Sequence, residues 1–179
     1  MKLNSRRTIL TGLAFLSICA FWQMYDSVIP LILTKTFHMN ETFSGAIMAA
    51  DNVLALFLLP FFGARSDKTN TKIGKRMPYI LFGTGCAVIL MNLLPLIDNS
   101  YAAAPSGFKT ASFVIVLGLL LVAMGTYRSA AVALMPDLTP KPLRSRANAI
   151  INLMGAVGGI LYLAVAAVLY SQKRLDAMG

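Results

Sequence analysis

The chain is poor in charge and poorer still in acid. Only 13% of its 179 residues are charged, with seven Asp and Glu against sixteen Lys and Arg. Soluble domains carry about 25% charged residues, so this composition excludes an ordinary soluble domain. A single histidine and two cysteines leave no His/Cys cluster for a metal. Cys19 and Cys86 lie in apolar runs, at a spacing that fits no metal site, and read as small packing residues. Gly83-Thr84-Gly85 is also apolar in context and lacks the Gly-Lys-Thr of a phosphate loop. No enzyme signature, ATP-driven pump or cofactor is therefore expected.

What the chain has instead is hydrocarbon. It is 57% hydrophobic, with a mean hydropathy of +0.69. A bilayer core of about 30 Å needs roughly 20 apolar residues in a helix. Five runs qualify, at about 9–33, 42–62, 79–97, 112–134 and 147–170. They are apolar all round rather than alternating, and a helix satisfies its own backbone polar groups without water. The expected fold is all-α, a polytopic membrane protein of five transmembrane helices. Lys2, Arg6 and Arg7 before an apolar stretch imitate a signal peptide, but the apolar character runs from Thr8 to Leu33 without a small-residue cleavage step. A retained first helix is expected.

The net charge of +9 does not point to nucleic acid, because the cations sit in short gaps between apolar runs. Arg65, Lys68, Lys72, Lys75 and Arg76 follow the second run; Lys141, Arg144 and Arg146 follow the fourth. The opposite gaps hold only Lys35 and Lys109. By the positive-inside rule the amino terminus and these two basic gaps face the cytoplasm.

Polar residues within the runs are candidates for chemistry, since a carboxylate in hydrocarbon costs several kcal/mol, of order 2.5–3.5 or more, unless paired, protonated or wetted. Helical spacing groups Trp22, Tyr25, Asp26 and Ile29 on one face, which suits proton carriage and sugar stacking; hydration of Asp26 near the outer surface is the plainer reading. Asp51 lies about 13 Å into the second span at 1.5 Å per residue, too deep for so short a side chain to reach water. Arg128 either snorkels to the cytoplasm or pairs with Asp51 or Asp26, which stand as the only acids within the five runs. Gly155-Ala156-Val157-Gly158-Gly159 reads as a close-packing surface. His38 reads as solvated.

The gap 63–76 is a basic, glycine-punctuated loop. Gly63 is expected to end the second helix in a tight turn. Asp67 is expected to meet a helix N-terminus or a basic residue elsewhere, and Lys75 and Arg76 to meet anionic lipid. Asp137, Arg144 and Arg146 give the gap after the fourth run a similar form, as a lock against the first loop or as plain surface charge.

Gly63, Asp67, Gly74 and the Lys75-Arg76 pair resemble the loop between the second and third helices of the major facilitator superfamily. Ser66-Asp67-Lys68-Thr69 with Gly74-Lys75-Arg76-Met77-Pro78, Arg128 with Ala133-Leu134-Met135-Pro136-Asp137-Leu138, and Arg144-Ser145-Arg146-Ala147-Asn148 are similar to its glycoside–pentoside–hexuronide and sucrose-type sugar–cation symporters. The resemblance implies an amino-terminal transporter half lacking its carboxy-terminal partner half, in a plasma (inner) membrane. It implies proton-coupled symport of a sugar or glycoside by alternating access. Asp26, Asp51 and Arg128 would serve the substrate and proton pathway with Trp22 and Tyr25, and Gly63, Asp67, Gly74, Lys75 and Arg76 would form a gating loop. Asp51 stands alone where the melibiose-type members have more than one acid, which favours protons over sodium. The expected partners are the lipid bilayer, a small solute and the remaining half or another chain. Two other readings stay open, a non-transporting assembly module and a transporter of another organic solute.

Overall fold

The computed structural model describes residues 5–169, without the side chains of residues 5–8, 51 and 135. The Lys2 end and the tail from 170 onward, including Lys173 and Arg174, lie outside the described residues. Among these residues the chain forms five long helices and no strand. They are α1 (Ser5–Lys35), α2 (Glu41–Lys68), α3 (Met77–Ala103), α4 (Gly107–Leu138) and α5 (Arg144–Leu169), with a 3-10 turn at Lys141–Leu143. The shortest has 26 residues, about 39 Å at 1.5 Å per residue, and all five are long and apolar enough to cross a membrane. Pro30, Pro60, Pro95 and Pro136 lie inside helices. Membrane helices tolerate this because nearby hydroxyls and neighbouring helices re-satisfy the freed backbone; Thr34 Oγ1 donates to Pro30 O at 2.9 Å.

The helices form two compact units, one of residues through Ser27 with those from Met135 onward, the other Val28–Leu134. In the first, α5 lies on α1 through small residues. A Cβ on Gly158 would fall on the Leu16 backbone carbonyl, one on Gly155 would meet Cys19 Sγ at 2.9 Å, and one on Gly159 would lie 3.7 Å from Gln23 Oε1. Phe15 packs on buried Ala147 and Ile151. Positions 15, 19 and 23 advance together with 151, 155 and 159, so α1 and α5 run parallel, as two odd-numbered spans must. Without a hydrophobic force between helices in lipid, such close approach supplies the packing, and the glycine surface read from the sequence is used within the chain.

In the second unit α4 carries most of the core, with Phe113, Leu117, Leu120, Met124, Tyr127 and Ala130 almost wholly buried. Gly83 of α3 meets it so closely that a Cβ would lie 2.9 Å from Tyr127 N. On α2, Leu58 would touch a Cβ on Gly125 at 3.2 Å, and Leu59 O accepts a 2.7 Å hydrogen bond from Ser129 Oγ. The other side of α2 is inside out by soluble standards. Phe43, Val53, Leu56, Phe57 and Phe61 are each more than half exposed, a surface that belongs against lipid or another helix.

Helix ends explain themselves chemically. Asn40 caps α2, accepting from Thr42 N at 3.2 Å. Lys109 Nζ donates to Ser100 O at 2.6 Å and Ala104 O at 2.9 Å, closing the negative end of α3; one of the two cations on the sparsely charged side is therefore a helix cap. Arg144 does the same for α4, reaching Pro136 O at 3.0 Å and Thr139 O at 3.3 Å. Two expectations are corrected. Gly63 does not end α2, which continues to Lys68. The third span does not stop at Ile97 but runs to Ala103, which places a further acid, Asp98, inside a helix.

Candidate functional site

The α2–α3 connection is a polar knot built on Arg76. This residue stands at the N-cap of α3, with Pro78 in the first turn, where a cation faces the positive helix end. An anion offsets that repulsion: Arg76 Nη2 donates to Asp67 Oδ1 at 2.7 Å, while Nη1 donates to Ser66 Oγ at 2.9 Å. Ser66, wholly buried, in turn donates a hydrogen bond to Gly63 O at 2.8 Å. Thr69 and Tyr79 share a 2.8 Å hydroxyl contact, and Thr71 Oγ1 donates to Gly74 O at 2.6 Å. Gly74 has φ +105° with open space around it, so glycine is required there by backbone conformation and not by crowding.

The arrangement ties the end of α2 to the start of α3 through side chains. Arg76 is 7% exposed, which corrects the expectation that it meets lipid; its fork is turned inward. Lys75 is exposed. Asp67 lies in the last turn of α2 rather than in a loop, and its side chain remains 61% exposed while bound to Arg76. Gly63 lies inside α2, and a Cβ added there would stand 3.5 Å from Ser129 Oγ, an ordinary contact.

The polar residues of the spans are distributed less simply. Tyr25, Ile29 and Leu33 make a buried row on α1, with Phe37 buried just beyond its end, and Trp22 leans on Tyr25 with ring centroids 6.2 Å apart. Asp26, one residue on and about 100° around the helix, is exposed, so the four residues grouped by spacing do not share one environment. Arg128 is half-buried on α4 between the buried Tyr127 and Ser129. Asp51 lies on α2, its side chain outside the described residues. Asp26 belongs to the first unit, and Asp51 and Arg128 to the second. Asp137 and Arg146 are exposed.

Sequence reading missed two things. The Ser66–Arg76 bond joins residues ten apart across a turn and leaves no local pattern. Asp98 does leave one, because it continues the spacing of the buried row Gly83, Ala87, Met91 and Leu94.

Five membrane-length helices joined by short capped turns, one of them a charged knot, define a polytopic all-helical membrane protein. Residues 11–174 match the Major Facilitator Superfamily, and the chain belongs to that family. It is 32% identical over 139 residues to Sucrose transport protein SUC3 of Arabidopsis thaliana, covering 71% of this chain and 23% of that protein. It is 28% identical over 170 residues to Sucrose transport protein SUT3 of Oryza sativa subsp. japonica, covering 85% and 33%. A Putative transporter YdfJ of Escherichia coli (strain K12) is 36% identical over 92 residues, covering 49% and 20%. The chain thus spans only a fifth to a third of the relatives it matches. No solved structure gives a significant match.

Proposed function

We propose that this chain contributes the first helices of a secondary transporter that moves a sugar-type solute together with a proton, by alternating access. The observation that carries this reading is family membership combined with similarity to proteins named as sucrose transporters. Asp26 and Asp51 serve as proton or substrate contacts, Arg128 as their charge partner, and Trp22 and Tyr25 as rings against the sugar. The Arg76 knot acts in gating. It holds α2 and α3 as one rigid lever, and the exposed side of Asp67 is where that lever meets another part of the transporter in one of its orientations. The membrane is the plasma or inner membrane, with the knot on its cytoplasmic side. The assembly reading is weakened by the packing of Gly155 and Gly158 against α1, which leaves that surface engaged.

The reading is tested by uptake of labelled sucrose and related glycosides into vesicles from cells expressing the protein, with and without an inward proton gradient. Accumulation should require the gradient and should be lost in Asp51→Asn. Undiminished accumulation by that variant would remove Asp51 from the coupling pathway, and absence of any gradient-driven uptake would remove the symport reading.

A further inference from the structure

Within the second unit, the last turns of α1 and the first turns of α2 border a cavity of about 300 Å³, lined by Pro30, Thr34, Glu41, Ser44, Gly45 and Met48. Small-molecule sites begin at about this size, about 300–1,000 Å³. Helical spacing explains the lining. Positions 30 and 34 are one turn apart on α1, and 41, 44, 45 and 48 form one stripe of α2. The space stays open because that stripe is thin: Gly45 has no side chain, and a Cβ there would find nothing within 4 Å.

Polar groups in the lining are few, and two of them are unpaired. Thr34 Oγ1 donates back to Pro30 O at 2.9 Å. Ser44 is 4% exposed. Its N–H donates to Asn40 O at 3.0 Å, but its hydroxyl has no hydrogen-bond partner among the described residues. A buried hydroxyl without a partner is disfavoured, and this one borders a cavity. Glu41, one turn before it, is exposed and forms no ion pair among the described residues. It is the sole charged group of the lining. Lys35 is not in the lining and stands in the last turn of α1, where the negative helix end holds a cation; His38 is exposed beyond it. A carboxylate and a hydroxyl one turn apart, on a wall that is otherwise apolar, fit a primary ammonium on an apolar stem. Charge-assisted bonds take the nitrogen, and the Met48 thioether suits an aromatic or alkyl body. A phospholipid amine fits less well, because its phosphate would come to lie near the Glu41 carboxylate.

We propose that this cavity binds a small soluble organic ammonium, its nitrogen held by Glu41 and Ser44 and its apolar part against Pro30 and Met48. The site uses none of the residues assigned to transport and does not rest on that reading. The test uses the full chain in phosphatidylglycerol nanodiscs, with Cys19→Ala, Cys86→Ala and a reporter thiol from Gly45→Cys in the open part of the lining. Its alkylation by N-ethylmaleimide is timed against rising benzylammonium. The amine should slow the reaction severalfold, and benzyl alcohol should not. A control thiol from Gly107→Cys, also at an open glycine, should react at an unchanged rate. Glu41→Gln should raise the half-protecting concentration about tenfold, as for a lost charge-assisted bond, and Ser44→Ala should raise it too. No protection, equal protection by the alcohol, equal slowing of Gly107→Cys, or full protection in both Glu41→Gln and Ser44→Ala would each overturn the proposal. Labelling already slow in phosphatidylethanolamine nanodiscs, and unmoved there by benzylammonium, would assign the cavity to lipid and overturn it as well.

Discussion

At the scale of single residues, the Arg76 knot is asymmetric. The arginine is buried and makes two bonds to two different partners, whereas Asp67 is largely exposed. Lysine cannot reproduce a fork that reaches both acceptors. Arg76→Lys is expected to cost about 1–3 kcal/mol, because buried Ser66 loses its partner, and Asp67→Asn at most about 1 kcal/mol, as for an exposed pair. Hydrogen exchange of the backbone amides in 69–76 measures both. Equal loss of protection in the two variants would contradict the asymmetry. That Gly63, Asp67, Gly74 and Arg76 bracket one polar connection was legible as a pattern. The direction in which each side chain points was not, since a linear spacing does not say that Arg76 turns back ten residues to Ser66. Likewise, Tyr25 and Asp26 are neighbours in sequence and differ in burial because the helix turns about 100° between them.

At the scale of elements, glycine positions separate close packing from open surface. Gly83 and Gly85 lie two residues apart on α3. A Cβ at the first would run into Tyr127 and Ala123 backbone, while at the second nothing lies within 4 Å. Gly83→Ala should destabilise by about 1–3 kcal/mol through overpacking, and Gly85→Ala should be neutral or stabilise by up to about 1 kcal/mol through lower chain entropy. Thermal unfolding in detergent reads the difference, and a reversed order would refute the placement of α3 against α4. Gly158→Ala should resemble the first case, because the new methyl falls on the Leu16 carbonyl. All five helices were legible, since an apolar run of membrane length has no other stable backbone solution. Their ends were not. Polar residues such as Arg65–Lys68 continue α2 beyond the hydrocarbon, and Asn99–Ala103 continue α3, where hydropathy has no reason to follow. Asp98 escaped notice for that reason alone.

At the scale of the whole molecule, cation placement and parallel packing of α1 on α5 agree on alternating spans. Single cysteines replacing Lys72 and Lys141 should react with an impermeant reagent from one side of the membrane, and those replacing His38 and Ser106 from the other. Reaction of Lys72→Cys and His38→Cys from the same side would break the topology. Family and multi-pass architecture were readable from composition and loops. The solute was not, because a sugar site is made by side chains brought together from many helices, and no short motif records their union. The account's central claim, proton-coupled movement of a sugar-type solute, is tested most directly by adding sucrose to lightly buffered vesicles containing the protein and recording external pH. Alkalinisation that depends on the sugar and disappears in Asp51→Asn is the predicted result. Sucrose entry with no accompanying proton movement would contradict it.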